Sequence, residues 1–511
     1  MGTQQTFLDR MLQLPLFMLL FGFASFSMLA PAVHAGLLGQ NATARAFLYS
    51  GILGIIIFVL IALAHAGRAP RHGALGPLMS LFSAFVFLPL FLAVPFFEGL
   101  RTTSFLNSYV EMVSAITTTG ATFFNDPNRL SDPLHLWRAQ VGWMGGLIMW
   151  IAASAILAPL NLGGFEVTAR AEPGRRSEGR VGGAHPEGRA RLVKVTSTLL
   201  PIYVGLTALL WILLLVSGDR ALVALSHAMS VMATSGISAV GGVENGSSGL
   251  IGEMVMVLFM LFALSRLTFS TDTVTSDSGG IKTDPEFRIG IALVVGVPLL
   301  LFVRHWWGAL DVDASATPLE AVQAFWGSMF TVMSFVTTTG FVSADWGIAQ
   351  AWSGLGTPGL ILMGLSLIGG GVATTAGGVK LLRVFALYRN GKREMERLVH
   401  PSSVSGAGAM GRRLQKNGAF IAWIFFMLFA ISLAALVITF AFLGVPFENA
   451  MVLAITGLST TGPLLEHASE VAIRLRDLTP VAKGVFAAAM VLGRLETLAI
   501  IALLTPDLWR G

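Results

Sequence analysis

Four short segments of this chain repeat a hydroxyl–hydroxyl–glycine signature: ITTTGAT, ATSGISA, VTTTGFV and STTGPL. Aligned on Gly120, Gly236, Gly340 and Gly462, the residue before glycine is Thr119, Ser235, Thr339 or Thr461. The one before that is Thr118, Thr234, Thr338 or Thr460, and six before stand Ser114, Ser230, Ser334 and Thr456. The chemistry that suits this pattern is cation coordination. A mostly apolar run precedes each glycine, long enough for a half-helix whose C-terminal end carries partial negative charge. The extended tail then turns backbone carbonyls toward an axis, and glycine permits the φ > 0 conformation this requires. Rings of backbone carbonyls from four re-entrant loops are how potassium filters replace an ion's water shell. No acidic ring flanks the glycines, which argues against a divalent-cation or acid-lined pore.

A single TTTG would read as close helix packing, for which membrane helices commonly use small and hydroxyl residues. Four copies, each between two apolar spans, read as an internal fourfold repeat. The glycines lie 116, 104 and 122 residues apart, room for a helix, the short segment and another helix.

The elements that must position these loops follow from composition. Of 511 residues, 54% are apolar and 12% charged, the latter about half the usual globular share. Mean hydropathy is +0.74. So few charges cannot cover a water-soluble chain of this length, and the expected class is an all-α polytopic membrane protein. Cysteine is absent, which removes disulfides, thiolate metal sites and a Cys nucleophile. Stretches without Asp, Glu, Lys or Arg run over 11–44, 46–67, 73–97, 139–165, 195–218, 347–379 and 417–447. Weaker candidates at 254–265, 289–303 and 484–506 bring the expectation to about ten membrane helices, each needing roughly 20 residues. The first stretch is too long, and its flank too weakly basic, for a cleaved signal peptide.

Two loops are strongly basic: 163–194, with Arg170, Arg175, Arg176, Arg180, Arg189, Arg191 and Lys194, and 389–416, with Arg389, Lys392, Arg393, Arg397, Arg412, Arg413 and Lys416. Arg68 and Arg71 make a third connector basic. The positive-inside bias puts all three in the cytoplasm, and ten helices then put both termini there. The net charge of +5 is thereby explained by topology, and nucleic acid is not expected as a partner.

Gly369, Gly370, Gly371, Gly377 and Gly378 interrupt the third long apolar region around Val372–Ala376, with Thr374 and Thr375 at the centre. A phosphate-binding loop needs Lys directly after its last Gly; here Val379 intervenes before Lys380. A break at membrane depth survives only where protein or water satisfies the backbone. The reading is an intramembrane loop beneath the four glycine segments, the plainer alternative being glycines that let helices approach. Arg494 lies in the last apolar segment, two residues from Glu496. It is either a structural contact to Glu496 or a carbonyl, or a charge projecting into a cavity. Glu111 is expected to brace its half-helix by hydrogen bonds. The nine histidines show no ligand spacing, and neither a GxSxG elbow nor paired intramembrane carboxylates support an enzyme.

Taken together, these segments resemble the TrkH/KtrB/HKT superfamily of potassium uptake proteins. Two extra N-terminal helices, LWRAQVGWMGG at 136–146, GGGVATTAGGVK at 369–380 and the C-terminal VLGRLETLAIIALLTPDLWR are most similar to its TrkH branch. The resemblance implies two N-terminal helices (1–72) and four helix–pore-loop–helix repeats (73–194, 195–285, 286–413 and 414–511) around one central pathway. It implies K+ as transported ion, with no bound cofactor, and a filter made by the four aligned glycines and the two hydroxyl residues before each. The glycine loop would be a gate and Arg494 an electrostatic barrier beside it. A bacterial inner-membrane location, a homodimer in lipid and a cytosolic TrkA-like nucleotide-binding regulatory subunit are implied as well. The competing class is a proton-coupled antiporter or respiratory-complex membrane subunit, whose mid-membrane Lys, Glu or His relays most spans here lack.

Overall fold

The computed structural model describes residues 14–65, 76–158, 185–265, 284–307, 317–400, 418–469 and 471–496. The connector around Arg68 and Arg71, residues Arg170, Arg175, Arg176, Arg180, Arg412, Arg413 and Lys416 of the two basic loops, and everything after Glu496 lie outside them. Every regular element among the described residues is helical. A first pair, α1 (Leu16–Ser27) with α2 (Leu29–Leu37) and the returning α3 (Asn41–His65), forms the N-terminal unit. Next come α4 (Gly76–Val86) with α5 (Leu88–Leu100), the short α6 (Phe105–Ile116), and α7 (Asp132–Ala152). The pattern recurs as α8 (His185–Val216), α9 (Ala221–Ala233) and α10 (Gly249–Met260), and again as α11 (Pro285–Trp307), α12 (Pro318–Val336), α13 (Trp346–Ser353) and α14 (Pro358–Ile368). Helix α15 (Leu381–Val399) follows the glycine loop, and α16 (Gly418–Phe442), α17 (Phe447–Ser459) and α18 (Pro480–Leu495) complete the last unit. This is an all-α polytopic fold with two N-terminal spans and four helix–loop–helix repeats.

Among the described residues eight helices are long and apolar enough to span a membrane, nine if α13 and α14 count as one. Three of the ten expected spans are not among them: the 254–265 candidate belongs to a shorter apolar helix (Gly249–Ala263), the 484–506 candidate runs beyond the described residues, and 347–379 is broken. The apolar stretch 347–379 is not one helix, because Gly354 caps α13 in the left-handed region and the chain turns by 115° before Pro358 opens α14. Conversely α12, which precedes the third TTTG, reaches 19 residues and passes the length test although it is a half-helix of the interior.

Burial separates the two kinds of helix. In α6 every residue from Val110 to Ile116 is buried, as is every residue of α17 from Val452 to Ser459. Around them, α16 presents Phe420, Trp423, Ile431 and Ile438 outward. A helix apolar all round that still exposes such side chains belongs in hydrocarbon. Two of the four half-helices start at side-chain caps: Ser104 Oγ accepts from Asn107 N–H, and Thr317 and Glu320 form a reciprocal capping box. Each satisfies orphan N–H groups that lipid could not.

Candidate functional site

All four half-helices end in the same backbone device. Thr118, Thr234, Thr338 and Thr460 take left-handed φ values of 55°, 50°, 57° and 53°. The residue after each donates its N–H back to the hydroxyl residue six before glycine: Thr119 to Ser114 O (2.8 Å), Ser235 to Ser230 O (2.9 Å), Thr339 to Ser334 O (2.9 Å) and Thr461 to Thr456 O (3.2 Å). This is the six-to-one bond of a Schellman turn, which usually has glycine in the left-handed place. A β-branched residue there costs on the order of 1–3 kcal/mol, a strain sustained four times in a fully buried setting. From sequence, glycine is expected in the left-handed turn. Threonine carries it first, and Gly120, Gly236 and Gly340 add φ values of 75°, 66° and 84°, while Gly462 is not in that region.

The glycines meet one another in cyclic order. A Cβ on Gly120 would lie 1.8 Å from Ser235 O, one on Gly236 2.4 Å from Thr339 O, and one on Gly340 2.9 Å from Pro463 Cδ. The circle closes where a Cβ on Gly462 would lie 2.1 Å from Ala121 N, and Gly462 N–H donates to Thr119 O at 2.5 Å. Four loops from one chain thus form a ring, with the negative ends of four helices directed at it.

The glycine loop, 369–380, lies directly against the helix-side face of this ring. Thr375 Oγ1 accepts from Thr234 Oγ1 (3.1 Å) and donates to Met232 O (3.3 Å), and Gly377 N–H donates to Thr338 Oγ1 (2.7 Å). The hydroxyls of Thr118 and Thr460 are buried with no protein partner among the described residues. Gly369 and Gly378 close the loop's neck, a Cβ on Gly369 lying 2.2 Å from Gly377 O. Gly370 and Gly371 face Ala263 O and Leu264 O, and Gly377 faces Ser459 O. Close approach and loop formation are therefore one requirement, not alternatives. Thr374 Oγ1 donates to Gly371 O within the loop. Arg494, 3% exposed, donates from Nη1 to Thr375 O at 2.7 Å. Its neighbour Glu496 pairs with Arg383 instead, at 2.6 Å.

The sequence profile of the TrkH family, described as cation transport protein, matches residues 97–508. The chain belongs to that family. The Trk system potassium uptake protein TrkH of Salmonella typhimurium (strain LT2) is 30% identical over 430 residues, covering 82% of each chain. The protein of that name from Escherichia coli (strain K12) matches to the same extent. The crystal structure of the potassium transporter TrkH from Vibrio parahaemolyticus superposes with a TM-score of 0.79 at 25% identity, over 99% of this chain and 100% of that one.

Within this TrkH-family chain, other polar residues meet the ring and loop without having been singled out. Glu286 Oε1 accepts from Val372 N–H (2.9 Å) and Lys380 Nζ donates to Ala376 O, so both flanks of the loop are tied down. His227 and Thr331 bond to the segments leaving the second and third glycines. Both stand nine residues before a glycine, as Glu111 does. Extending the repeat alignment three residues back would have found them. On the far side of the ring a cavity of about 60 Å³ is lined by the four glycines with Glu244, Glu466 and Arg138 among its walls. Burial pushes the Glu244 carboxyl up to about 7, and the charges of Glu466 and Glu253 add to the rise.

Proposed function

We propose that this chain takes up potassium across the bacterial inner membrane as the ion-translocating subunit of a Trk-type system. The observation that carries the reading is the cyclic ring of Gly120, Gly236, Gly340 and Gly462 at the ends of four converging half-helices. Potassium sheds water at the carbonyls of residues 118–120, 234–236, 338–340 and 460–462, passes to the inner side and meets the loop 369–380. The units run 1–72, 73–194, 195–285, 286–413 and 414–511, with both termini cytoplasmic. No covalent chemistry is required. An inward-negative potential supplies about 2.3 kcal/mol per charge for each 100 mV, about 50-fold in concentration at equilibrium. By family resemblance the chain works as a homodimer under a cytosolic TrkA-like nucleotide-binding subunit. Rubidium uptake into potassium-starved cells expressing the protein tests the reading: saturable uptake that potassium inhibits is expected. Absence of such uptake, with the protein in the membrane, defeats it, and cation exchange in place of net uptake favours an antiporter.

Two further results are expected. Deleting Val372–Ala376 removes the segment that bonds Thr234 and Arg494, so flux in reconstituted vesicles should rise about 10-fold or more, a barrier loss of about 1.4 kcal/mol or more. Unchanged flux through folded protein removes the gate assignment. The second concerns external pH. A carboxyl with pKa about 7 is charged above that pH and neutral below it, so Glu244 attracts cations at pH 8 and ceases to at pH 6. One charge at roughly 8 Å in water contributes about 0.5 kcal/mol, so the half-saturating rubidium concentration should rise about twofold on acidification. Glu244→Gln should abolish that dependence; a wild-type pH profile in the variant would exclude Glu244 as its source.

A further inference from the structure

The segment leaving each filter glycine is held, in three of four repeats, by a buried side chain of its own half-helix. Glu111 Oε2 accepts from Phe123 N–H at 2.9 Å, its other oxygen pairing with Arg138 at 2.7 Å. Thr331 Oγ1 accepts from Ser343 N–H at 3.3 Å. A hydrogen bond of 2.9 Å joins His227 Nε2 and Ser238 Oγ, and Asp219 faces the other ring nitrogen at 3.7 Å. Glu111, His227 and Thr331 are each at most 1% exposed, and all stand nine residues before their glycine. Their partners stand two or three residues after it. The spacing has a geometric cause. Five residues of helix rise about 7.5 Å, and three extended residues climb about 10 Å in the opposite direction, so these positions meet side by side.

The fourth repeat has Leu453 at this position, buried and apolar. There the chain after glycine is held differently: Pro463 has φ −61° and Leu465 N–H donates to Gly462 O at 3.0 Å. A turn takes the place of the missing side-chain acceptor. Glu253 reinforces the third repeat from α10, accepting from Ser343 Oγ (2.8 Å), Ala344 N–H (2.8 Å) and Trp326 Nε1 (2.7 Å).

We propose that the side chain nine residues before each of the first three filter glycines is a brace that sets ion discrimination without touching the ion. Glu111, His227 and Thr331 fix the outward segment, and with it the direction in which the filter carbonyls point. These are positioning residues, and their role rests on the filter reading above. Removing a brace lets the carbonyls relax toward the shorter distances that the smaller sodium ion accepts, so selectivity falls before transport does.

The test is sodium competition against rubidium uptake, with membrane content measured by immunoblot. Thr331→Val keeps the side chain's shape and removes only the acceptor. It should lower the rubidium-over-sodium preference about fivefold, equivalent to about 1 kcal/mol, with saturating rubidium uptake within about twofold of wild type. Thr331→Ser restores the acceptor and should restore the preference. His227→Phe should act as Thr331→Val does, and Leu453→Met, at the unbraced position, should leave the preference unchanged. Gly340→Ser separates the two levels of the argument. If it lowers the preference while Thr331→Val and His227→Phe do not, the braces are refuted and the filter stands. If it changes neither rate nor preference, the filter reading fails and the braces with it. Equal losses in Thr331→Val and Thr331→Ser, or equal falls in rubidium and sodium transport, would show packing alone and overturn the proposal.

Discussion

Gly120→Ser is expected to lower the potassium-to-sodium preference about 10-fold, a differential of about 1.4 kcal/mol. Two independent constraints act at this position. Its φ of +75° disfavours any side chain, and the new Cβ would lie 1.8 Å from Ser235 O, a backbone atom of the next repeat. Relief requires the carbonyl of residue 235 to move, and that group belongs to the second of the four ring segments. Losing one coordinating oxygen hurts the larger, weakly hydrated potassium more than sodium, which keeps part of its water. Gly236→Ser should act in the same direction through Thr339 O, 2.4 Å from its Cβ. At the fourth position Pro463 already restrains the backbone, and Gly462 lies outside the left-handed region. Yet its Cβ would meet Ala121 N at 2.1 Å, Gly120 C at 2.4 Å and Thr119 O at 2.5 Å. Gly462→Ala, though it strains no φ, should therefore be as damaging as Gly120→Ser. Competition of sodium against rubidium uptake decides both. Wild-type selectivity and rate in Gly120→Ser would mean that these glycines form no filter.

Arg494→Ala should raise ion flux by up to about 100-fold. A monovalent cation on the order of 6 Å from the guanidinium, at an effective dielectric near 20, is repelled by about 3 kcal/mol, and each 1.4 kcal/mol is tenfold in rate. The variant also loses the 2.7 Å bond to Thr375 O, one of the contacts that holds the loop under the ring. Glu496 does not neutralise the guanidinium by direct pairing, because it is engaged by Arg383, which also stacks 3.6 Å above the Phe425 ring. Arg494→Lys keeps the charge and should keep flux near the wild-type level. Flux through vesicles of matched protein content is the measurement. If Arg494→Ala misfolds while Arg494→Lys matches wild type in flux and amount, the arginine is structural and the barrier reading is wrong.

What this sequence determined by itself was everything that repeats along it or interrupts its apolar pattern. Helical class, the four TTTG-like segments between spans and the glycine break at 369–378 are local signals, because span length, helix breaking and hydroxyl–glycine chemistry act over a few residues. Glu111 was legible as a brace because a carboxylate in an apolar half-helix needs a partner. Thr331 and His227 are legible only by position, nine residues before their glycines, since by type alone a threonine or a lone histidine reads as ordinary packing. Tertiary structure alone decided that threonine, not glycine, bears the first left-handed turn, for a strained φ is imposed by what surrounds it. It alone decided that Gly462 is required by contact and not by conformation. The pairing of Arg494 with Thr375 spans 119 residues and that of Thr234 with Thr375 spans 141. Such contacts arise only when separate repeats close around one axis, and no property of either residue's own neighbourhood in the chain encodes which distant atom it will meet.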